Sequence, residues 1–347
     1  MRRILAATAL LLLTLAPQAA AQAPPPHVVL VTIDGFRWED LFRGADPALV
    51  TDPAYRARYV DVPDRAQALT PFLLSFAQHG ALIGDRDNGS CARVANDFWF
   101  SYPGYAEILA GRPNPRARSN RAIPNQDVTV LERLARRPEF AGQVRAFAEW
   151  YVVPSILNVE RSGIPVFVTP DRVSPHDPQV IAAARAFFTE LPRVTWIALG
   201  DTDNRAHEGD YPAYLSAASD ADNFLRELWQ AIEANPRTAG RTTLIVTSDH
   251  GRGASTRNRW RGHGSGRWRG IVVPGLRREG SDAIFIAARG PGVVATSAYT
   301  METCATAGQV AATLLTGVGL LDAEGQPDMA PPLAVFSDGP GSLAAAN

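Results

Sequence analysis

Lysine is absent from this chain of 347 residues, in which all 34 basic residues are arginine. This absence excludes a Schiff-base lysine, a P-loop lysine and a lysine general base. The chain has only two cysteines, too few for a cysteine-based zinc site or a dense disulfide scaffold. Its formal net charge is −1, so we predict no binding to duplex nucleic acid. Any imidazole chemistry must use six histidines.

Long apolar runs are also scarce. The run Ile4–Leu15 is shorter than the roughly 20 residues that a membrane-spanning helix needs. It follows the basic Met1–Arg3 and precedes the small residues Ala19–Ala21, which is the pattern of a secretory signal peptide over residues 1–21. We therefore expect a periplasmic or secreted protein that keeps no membrane anchor after cleavage. The alternative is that this segment remains as an uncleaved anchor.

Export to an oxidising compartment would allow the two cysteines to pair. Their sequence positions, Cys91 and Cys304, leave two possibilities open: a disulfide or two buried thiols.

Beyond residue 21, continuous β-branched runs alternate with helical patterns. Such runs are typical of parallel strands buried on both faces. The predicted strands are His27–Ile33, Val166–Val168, Val194–Leu199, Thr243–Thr247 and Ala283–Ala287. The predicted helices are Thr70–Gln78, Val128–Arg137, Pro178–Leu191 and Tyr211–Ala234. This order predicts an α/β fold whose mostly parallel central sheet is sandwiched between helices. We expect one domain over residues 22–347, with loop insertions.

Polar residues follow three of the predicted strands. Asp34 follows the first, the pair Asp203 and His207 follows the second, and Asp249 and His250 follow the third. Ligand sites of open α/β sheets lie at the carboxyl ends of the strands, so we expect these residues to converge. A further histidine, His263, lies between two glycines on a loop rich in arginine. Taken singly, each has an ordinary alternative, such as a turn aspartate or a surface ion pair on a helix.

Together these residues offer three carboxylates and three imidazoles. Mixed nitrogen and oxygen ligands suit a divalent ion of borderline softness and favour zinc. One zinc needs about four ligands, so six protein ligands and a shared nucleophile predict two metal ions. Two ions about 4 Å apart are suited to in-line displacement at phosphorus.

Ser101 is the candidate nucleophile. It lies before an apolar helical stretch whose early position holds Pro103, so its hydroxyl is expected near the free N–H groups of a helix N-terminus. A metal bound to this oxygen would lower its pKa without a histidine base. The alternative is that Ser101 is only a helix cap.

These motifs together resemble the alkaline phosphatase superfamily, and within it the nucleotide pyrophosphatase/phosphodiesterase-like branch. The segments that carry the resemblance run in the family's order from residue 33 to 264. They are Ile33–Trp38, Ser101-Tyr102-Pro103, the Asp-x-x-x-His of Asp203 and His207, Ser248–Gly251, and His263-Gly264.

The resemblance implies a ligand set for each metal ion. One zinc would be held by Asp34, Asp249 and His250 with Ser101, and the other by Asp203, His207 and His263. Ser101 would attack phosphorus to form a phosphoseryl intermediate, which water would then hydrolyse. Asp201 is an alternative ligand to Asp203, which we prefer for its spacing from His207.

The sequence departs from the family pattern after the nucleophile. The branch often has an asparagine that holds the phosphoryl oxygens where this chain has Gly104. Asn96, Asn114, Arg112 or a backbone N–H would have to replace it. Tyr105 occupies the place of the arginine in the sulfatase pattern, which counts against a formylglycine sulfatase.

We therefore expect a metal-dependent hydrolase of a small-molecule phosphate ester, either a phosphodiesterase or a phosphomonoesterase. A sulfatase, a phosphonate hydrolase or a phosphomutase of the same superfamily is the alternative. A catalytically silent secreted binding protein is an alternative of another class. The sequence leaves the natural substrate and the oligomeric state open.

Overall fold

We analysed a computed structural model of the chain. It describes residues 25–169, 175–253, 259–268, 271–273, 277–320 and 327–337. The predicted signal peptide lies outside the described residues. Within them, no helix combines the length and the apolar character needed to cross a membrane.

Twelve strands are found in the described residues. They are β1 His27–Ile33, β2 Ala81–Ile83, β3 Ala92–Arg93, β4 Val144–Ala148, β5 Val166–Val168, β6 Val194–Leu199, β7 Thr242–Thr247, β8 Arg267–Trp268, β9 Ile271–Val272, β10 Ala283–Ile284, β11 Ile286–Arg289 and β12 Ala305–Thr306. Seven form a central sheet in the order β2-β11-β7-β1-β6-β4-β5. Within it the β7-β1-β6-β4-β5 pairs are parallel, and β11 runs antiparallel to both β7 and β2. The predicted α/β class with a mostly parallel sheet is confirmed.

The register of the three central strands positions the site. Ile33 at the end of β1 pairs with Leu199 at the end of β6, and Thr32 pairs with Thr247 at the end of β7. All residues of these three strands are buried, as expected for β-branched strands covered on both faces. Their carboxyl ends are therefore level, and the segments that follow begin at one edge of the sheet.

Helices cover both faces of this sheet. They are α1 Trp38–Arg43, α2 Pro53–Tyr59, α3 Arg65–Leu69, α4 Pro71–Leu74, α5 Phe76–His79, α6 Ser101–Ala110, α7 Val130–Ala135, α8 Val153–Ile156, α9 Val159–Ser162, α10 Asp177–Arg185, α11 Asp201–Glu208, α12 Tyr211–Ala234 and α13 Gln309–Gly317. Helices α6, α7, α8 and α13 contribute to one apolar core, and α1 to α5 and α10 to α12 contribute to the other. Alternate residues of β1 supply both cores, because successive side chains of a strand point to opposite faces.

Some predicted elements differ from the structure. The predicted strand Ala283–Ala287 is two strands: β10 pairs with β3 in a small second sheet, and β11 joins the central sheet. Phe285 lies between them and packs edge-on against Phe36, so the chain changes sheets at this residue. The predicted helix Thr70–Gln78 is divided at Ser75, whose hydroxyl donates to the Phe72 carbonyl and competes with helical bonding.

The two cysteines form a disulfide, with their Cα atoms 4.5 Å apart. This bond joins the residue before β3 to the residue before β12, two strands that are themselves paired. Of the two possibilities that the sequence left open, the structure therefore shows the disulfide.

Candidate metal centre and nucleophile

The carboxyl ends of the central strands are joined by hydrogen bonds at the site. The Asp34 N–H donates to the Leu199 carbonyl, and the Thr202 hydroxyl donates to the Asp34 carbonyl. On the other side, the Gly35 N–H donates to Asp249 Oδ1 over 3.0 Å. These bonds fix the segments that follow β1, β6 and β7 relative to one another. The convergence expected from the strand-end rule is thus present in the structure.

One cluster of potential ligands contains Asp34, Asp249 and His250. His250 Nε2 lies 3.3 Å from Asp34 Oδ1 and 3.4 Å from Asp249 Oδ2. His250 Nδ1 lies 2.8 Å from the Gly251 carbonyl, which can only accept, so this nitrogen carries a proton. When the imidazole is neutral, its Nε2 atom therefore carries the lone pair, and this atom lies on the side of the two carboxylates.

A second cluster contains Asp203, His207 and His263. Asp203 and His207 lie one turn apart on α11, which places Asp203 Oδ2 3.0 Å from His207 Nε2. His263 Nε2 lies 3.0 Å from His207 Nε2 and 3.7 Å from Asp203 Oδ1. The side chain of His207 is half exposed, so this cluster is open to solvent.

The two clusters adjoin each other through Asp203. Its Oδ1 atom lies 4.0 Å from His250 Nε2, and the rings of His250 and His263 have centroids 4.0 Å apart. Asp203 therefore groups with His207 and His263, and also with Asp34 and His250. The ligand atoms of each group lie within 4.8 Å of one another, which is close enough to hold a metal ion. Asp201 instead accepts hydrogen bonds from the backbone N–H groups of residues 176 and 177, and so is engaged elsewhere.

Ser101 is the first residue of α6 and lies beside these clusters. Its Oγ atom is 3.4 Å from His250 Nε2, and the side chain is buried. The helix cap is Phe100, which has extended backbone angles, so Ser101 is not the cap that the alternative reading expected. The Ser101 hydroxyl is thus directed to the site.

The charge of the site explains its unusual acidities. Burial and the Asp203 carboxylate raise the pKa of Asp34, and burial and Asp34 raise the pKa of Asp249 well above its ordinary range. Burial alone would lower the pKa of His250, but the carboxylates of Asp249 and Asp34 raise it to about 9. Burial would raise the pKa of Asp203, but Arg252 and His263 hold it well below its usual value. Closely packed carboxylates with these acidities favour a cation at the site.

Buried polar atoms without hydrogen-bond partners indicate that a metal ion fits between the candidate ligands. Asp34 Oδ1, Asp249 Oδ2 and His263 Nδ1 are buried and lack a hydrogen-bond partner among the described residues. Buried acceptors without donors are costly, and the two carboxylate oxygens lie in the first cluster. Their mixture with imidazole nitrogens is the donor set that zinc prefers. The residues present therefore fit divalent metal ions.

Tyr105, on α6, contacts the first ligand cluster. Its hydroxyl donates to Asp34 Oδ2 over 2.9 Å. Burial and the Asp34 carboxylate raise the pKa of Tyr105 well above its ordinary value, so the hydroxyl remains a donor. Its spacing of one helical turn from Ser101 is the signal that would have placed both side chains on one face of α6.

The groups proposed to replace the family's asparagine are engaged elsewhere. Asn96 accepts hydrogen bonds from the N–H groups of residues 98 and 99 and donates one to Glu107. Asn114 accepts a hydrogen bond from the N–H of residue 116 and donates one to Asn125. Arg112 forms an ion pair with Asp127. A Cβ at Gly104 would overlap the Asp249 carbonyl oxygen, so no side chain fits there.

Asn120 contacts the backbone at the start of α6. Its Oδ1 atom accepts the Tyr102 N–H over 3.0 Å, which fixes the amide at the start of α6, and its side chain is exposed. Sequence reasoning missed it because it lies on a loop 18 residues beyond its partner.

The sequence model of the family described as Type I phosphodiesterase / nucleotide pyrophosphatase matches residues 92–262. This range contains Ser101, Asp203, His207, Asp249 and His250, and it ends one residue before His263. No curated protein sequence matches the chain.

Solved structures of several different proteins have a similar fold. Murine ectonucleotide pyrophosphatase/phosphodiesterase 5, as an inactive variant in complex with AMP, is 15% identical with a TM-score of 0.54, over 87% of this chain and 97% of that one. A 2-O GAG sulfatase is 12% identical with a TM-score of 0.52, over 86% and 72%. A protein of the alkaline phosphatase superfamily from Vibrio parahaemolyticus is 14% identical with a TM-score of 0.50, over 85% and 66%.

These comparisons confirm the resemblance to the alkaline phosphatase superfamily and to its nucleotide pyrophosphatase/phosphodiesterase-like branch. The solved structures confirm its α/β fold with a large central sheet. The family match over residues 92–262 supports a hydrolase.

Proposed function

We propose that the protein is an exported, two-zinc phosphoric ester hydrolase that acts through a phosphoseryl intermediate on Ser101. The observation that carries this proposal is the position of Ser101 Oγ, 3.4 Å from His250 Nε2, beside two Asp/His clusters that adjoin each other at Asp203. One zinc would be held by Asp34, Asp249 and His250, and the other by Asp203, His207 and His263.

Bound zinc would supply Lewis-acid charge for the phosphoryl oxygens and would lower the pKa of the serine hydroxyl. The chain's own residues prepare the rest of the reaction. Tyr105 orients the Asp34 carboxylate through its hydroxyl, and the Gly251 carbonyl fixes the tautomer of His250. The buried position of Ser101 at the start of α6 directs its oxygen toward phosphorus at the positive end of the helix dipole.

The covalent step conserves atoms and charge. The Ser101 oxygen forms a bond to phosphorus while the bond from phosphorus to the leaving alcohol breaks. The serine proton is released, and the departing oxygen takes up a proton. Water then attacks the phosphoserine, which restores the serine hydroxyl and releases the phosphate product.

Asn120 is the group we propose in place of the family's asparagine. Its Oδ1 is committed to the Tyr102 N–H, so its NH₂ group remains available as a donor near Ser101. Such a donor, aimed where phosphoryl charge accumulates, contributes to transition-state stabilisation.

Export is supported by the Cys91–Cys304 disulfide, because disulfides form and persist in oxidising compartments. The matching signal-peptide pattern at the N-terminus supports the same compartment. We therefore place the enzyme in the periplasm or outside the cell.

The proposal is tested by metal analysis together with kcat/KM on three p-nitrophenol esters: the phosphomonoester, the phosphodiester and the sulfate. We expect about two zinc ions per chain and turnover of one phosphate ester well above that of the sulfate. One calcium ion with preferred sulfate turnover would instead identify a sulfatase. A metal-free protein without turnover of any ester would support the silent binding protein.

A further inference from the structure

The Arg252 side chain is fully buried and contacts the second ligand cluster. Its Nη1 donates to Asp203 Oδ1, its Nε donates to the Trp260 carbonyl over 2.7 Å, and its Nη2 donates to the Arg261 carbonyl. A buried guanidinium requires such partners, because an unpaired buried charge is strongly unfavourable.

These contacts join three segments that carry potential ligands. Arg252 itself lies two residues after His250. Asp203 lies on α11, and the two carbonyls precede His263 by three and two residues. The helical turn at 259–261 is fixed to α12, because its Trp260 ring packs edge-on against Tyr211 with ring centroids 5.0 Å apart. One guanidinium therefore fixes the relative position of segments that are otherwise remote in sequence.

The contact with Arg252 also gives the two carboxylate oxygens of Asp203 different partners. Oδ1 accepts from Arg252, while Oδ2 lies 3.0 Å from His207 Nε2. The carboxylate cannot rotate without breaking the charged hydrogen bond to Arg252. Oδ2 is thus kept in place beside His207, and the carbonyl contacts keep the His263 segment near both.

We propose that Arg252 is a positioning residue that sets the metal affinity of the Asp203–His207–His263 cluster. This inference rests on the proposed function, since it assumes that this cluster holds zinc. Loss of a partner that orients a ligand typically weakens metal binding by about 10- to 100-fold. Substitution of Arg252 should therefore weaken one of the two zinc ions and spare the other.

The test titrates the metal-free full-length protein with zinc against a competing chelator. We expect Arg252→Met to lose about 10- to 100-fold in affinity for one zinc ion, and Arg252→Lys, which keeps the charge but not the fork, to lose less. The control Arg267→Met removes an exposed arginine of the same loop and should bind both ions like the wild type. If Arg252→Met fails to fold by circular dichroism, the loss in Arg252→Lys decides the question.

A double-mutant cycle separates positioning from a general structural role. In a His207→Ala background the second cluster is already disabled, so adding Arg252→Met should change the affinity for the remaining zinc by less than about twofold. An equal loss in both backgrounds, or wild-type affinity for both ions in the folded single variant, would overturn the inference. If the wild type itself does not bind two zinc ions, the proposed function fails, and that result is distinct from the others.

Discussion

Tyr105→Phe removes a single buried oxygen atom that links α6 to the first ligand cluster. The hydroxyl donates to Asp34 Oδ2 over 2.9 Å, and the ring packs against Trp196 and Trp150 with centroids 5.5 and 6.3 Å apart. The phenylalanine ring keeps this packing, so the substitution tests the hydrogen bond alone. Because Asp34 Oδ1 already lacks a hydrogen-bond partner in the described chain, the carboxylate would lose the hydroxyl that orients it.

The expected size of the effect follows from the charge of the acceptor. Hydrogen bonds to charged groups contribute about 1.5–3 kcal/mol, and each 1.4 kcal/mol is tenfold in affinity. We therefore expect zinc binding at the Asp34–Asp249–His250 cluster to weaken by about 10- to 100-fold. In the metal-free protein, the loss of this one buried hydrogen bond should lower the free energy of unfolding by about 1 kcal/mol.

The assay compares zinc affinity, by chelator competition, with stability, by urea unfolding of the metal-free protein. Tyr211→Phe is the matched control, because it removes another buried hydroxyl that donates to a carboxylate, Asp40, which is not a predicted ligand. The control should lose stability and retain zinc affinity. Unchanged zinc affinity in folded Tyr105→Phe would refute the reasoning.

Three further substitutions test other parts of the account. Replacing Cys91 and Cys304 together by alanine opens a loop that spans 213 residues and should lower the free energy of unfolding by about 5 kcal/mol, measured by urea denaturation. Burial and Asp34 raise the pKa of Glu149 from 4.5 to about 8. The folded metal-free protein then binds more protons than the unfolded chain between these values, so its stability should fall as pH rises through this range. Glu149→Gln should make that fall smaller in unfolding curves at pH 5 and 8, because it removes the Glu149 contribution and leaves those of the other raised groups. Gly104→Ala should lower stability by about 1–3 kcal/mol, because its Cβ would overlap the Asp249 carbonyl oxygen, and wild-type thermal stability would contradict this.

The convergence of the candidate ligands was predictable, because residues that follow the carboxyl ends of parallel strands lie at one edge of the sheet. The continuous β-branched runs His27–Ile33 and Val194–Leu199 read as buried parallel strands, and the residues that follow such strands share one sheet edge. Asp34 and the α11 pair therefore came together as expected.

Other features depend on tertiary contacts that local patterns do not encode. The strand Val144–Ala148 was missed because Arg145 interrupts its apolar pattern, although the strand lies between β6 and β5 in the central sheet. The role of Tyr105 depends on a hydrogen bond to Asp34, 71 positions away in the sequence, and that of Arg252 depends in part on one to Asp203, 49 positions away. Periodicity predicts which side of an element is buried, but it does not predict which polar atom a buried hydroxyl or guanidinium will contact.

The central claim is that Ser101 is the nucleophile at a site made by two zinc ions. Ser101→Ala tests it most directly when turnover of the best p-nitrophenyl phosphate ester and zinc content are measured on the same preparation. We expect kcat to fall by about 1,000-fold or more while the folded variant retains about two zinc ions per chain. Retained turnover in the zinc-loaded variant would contradict it.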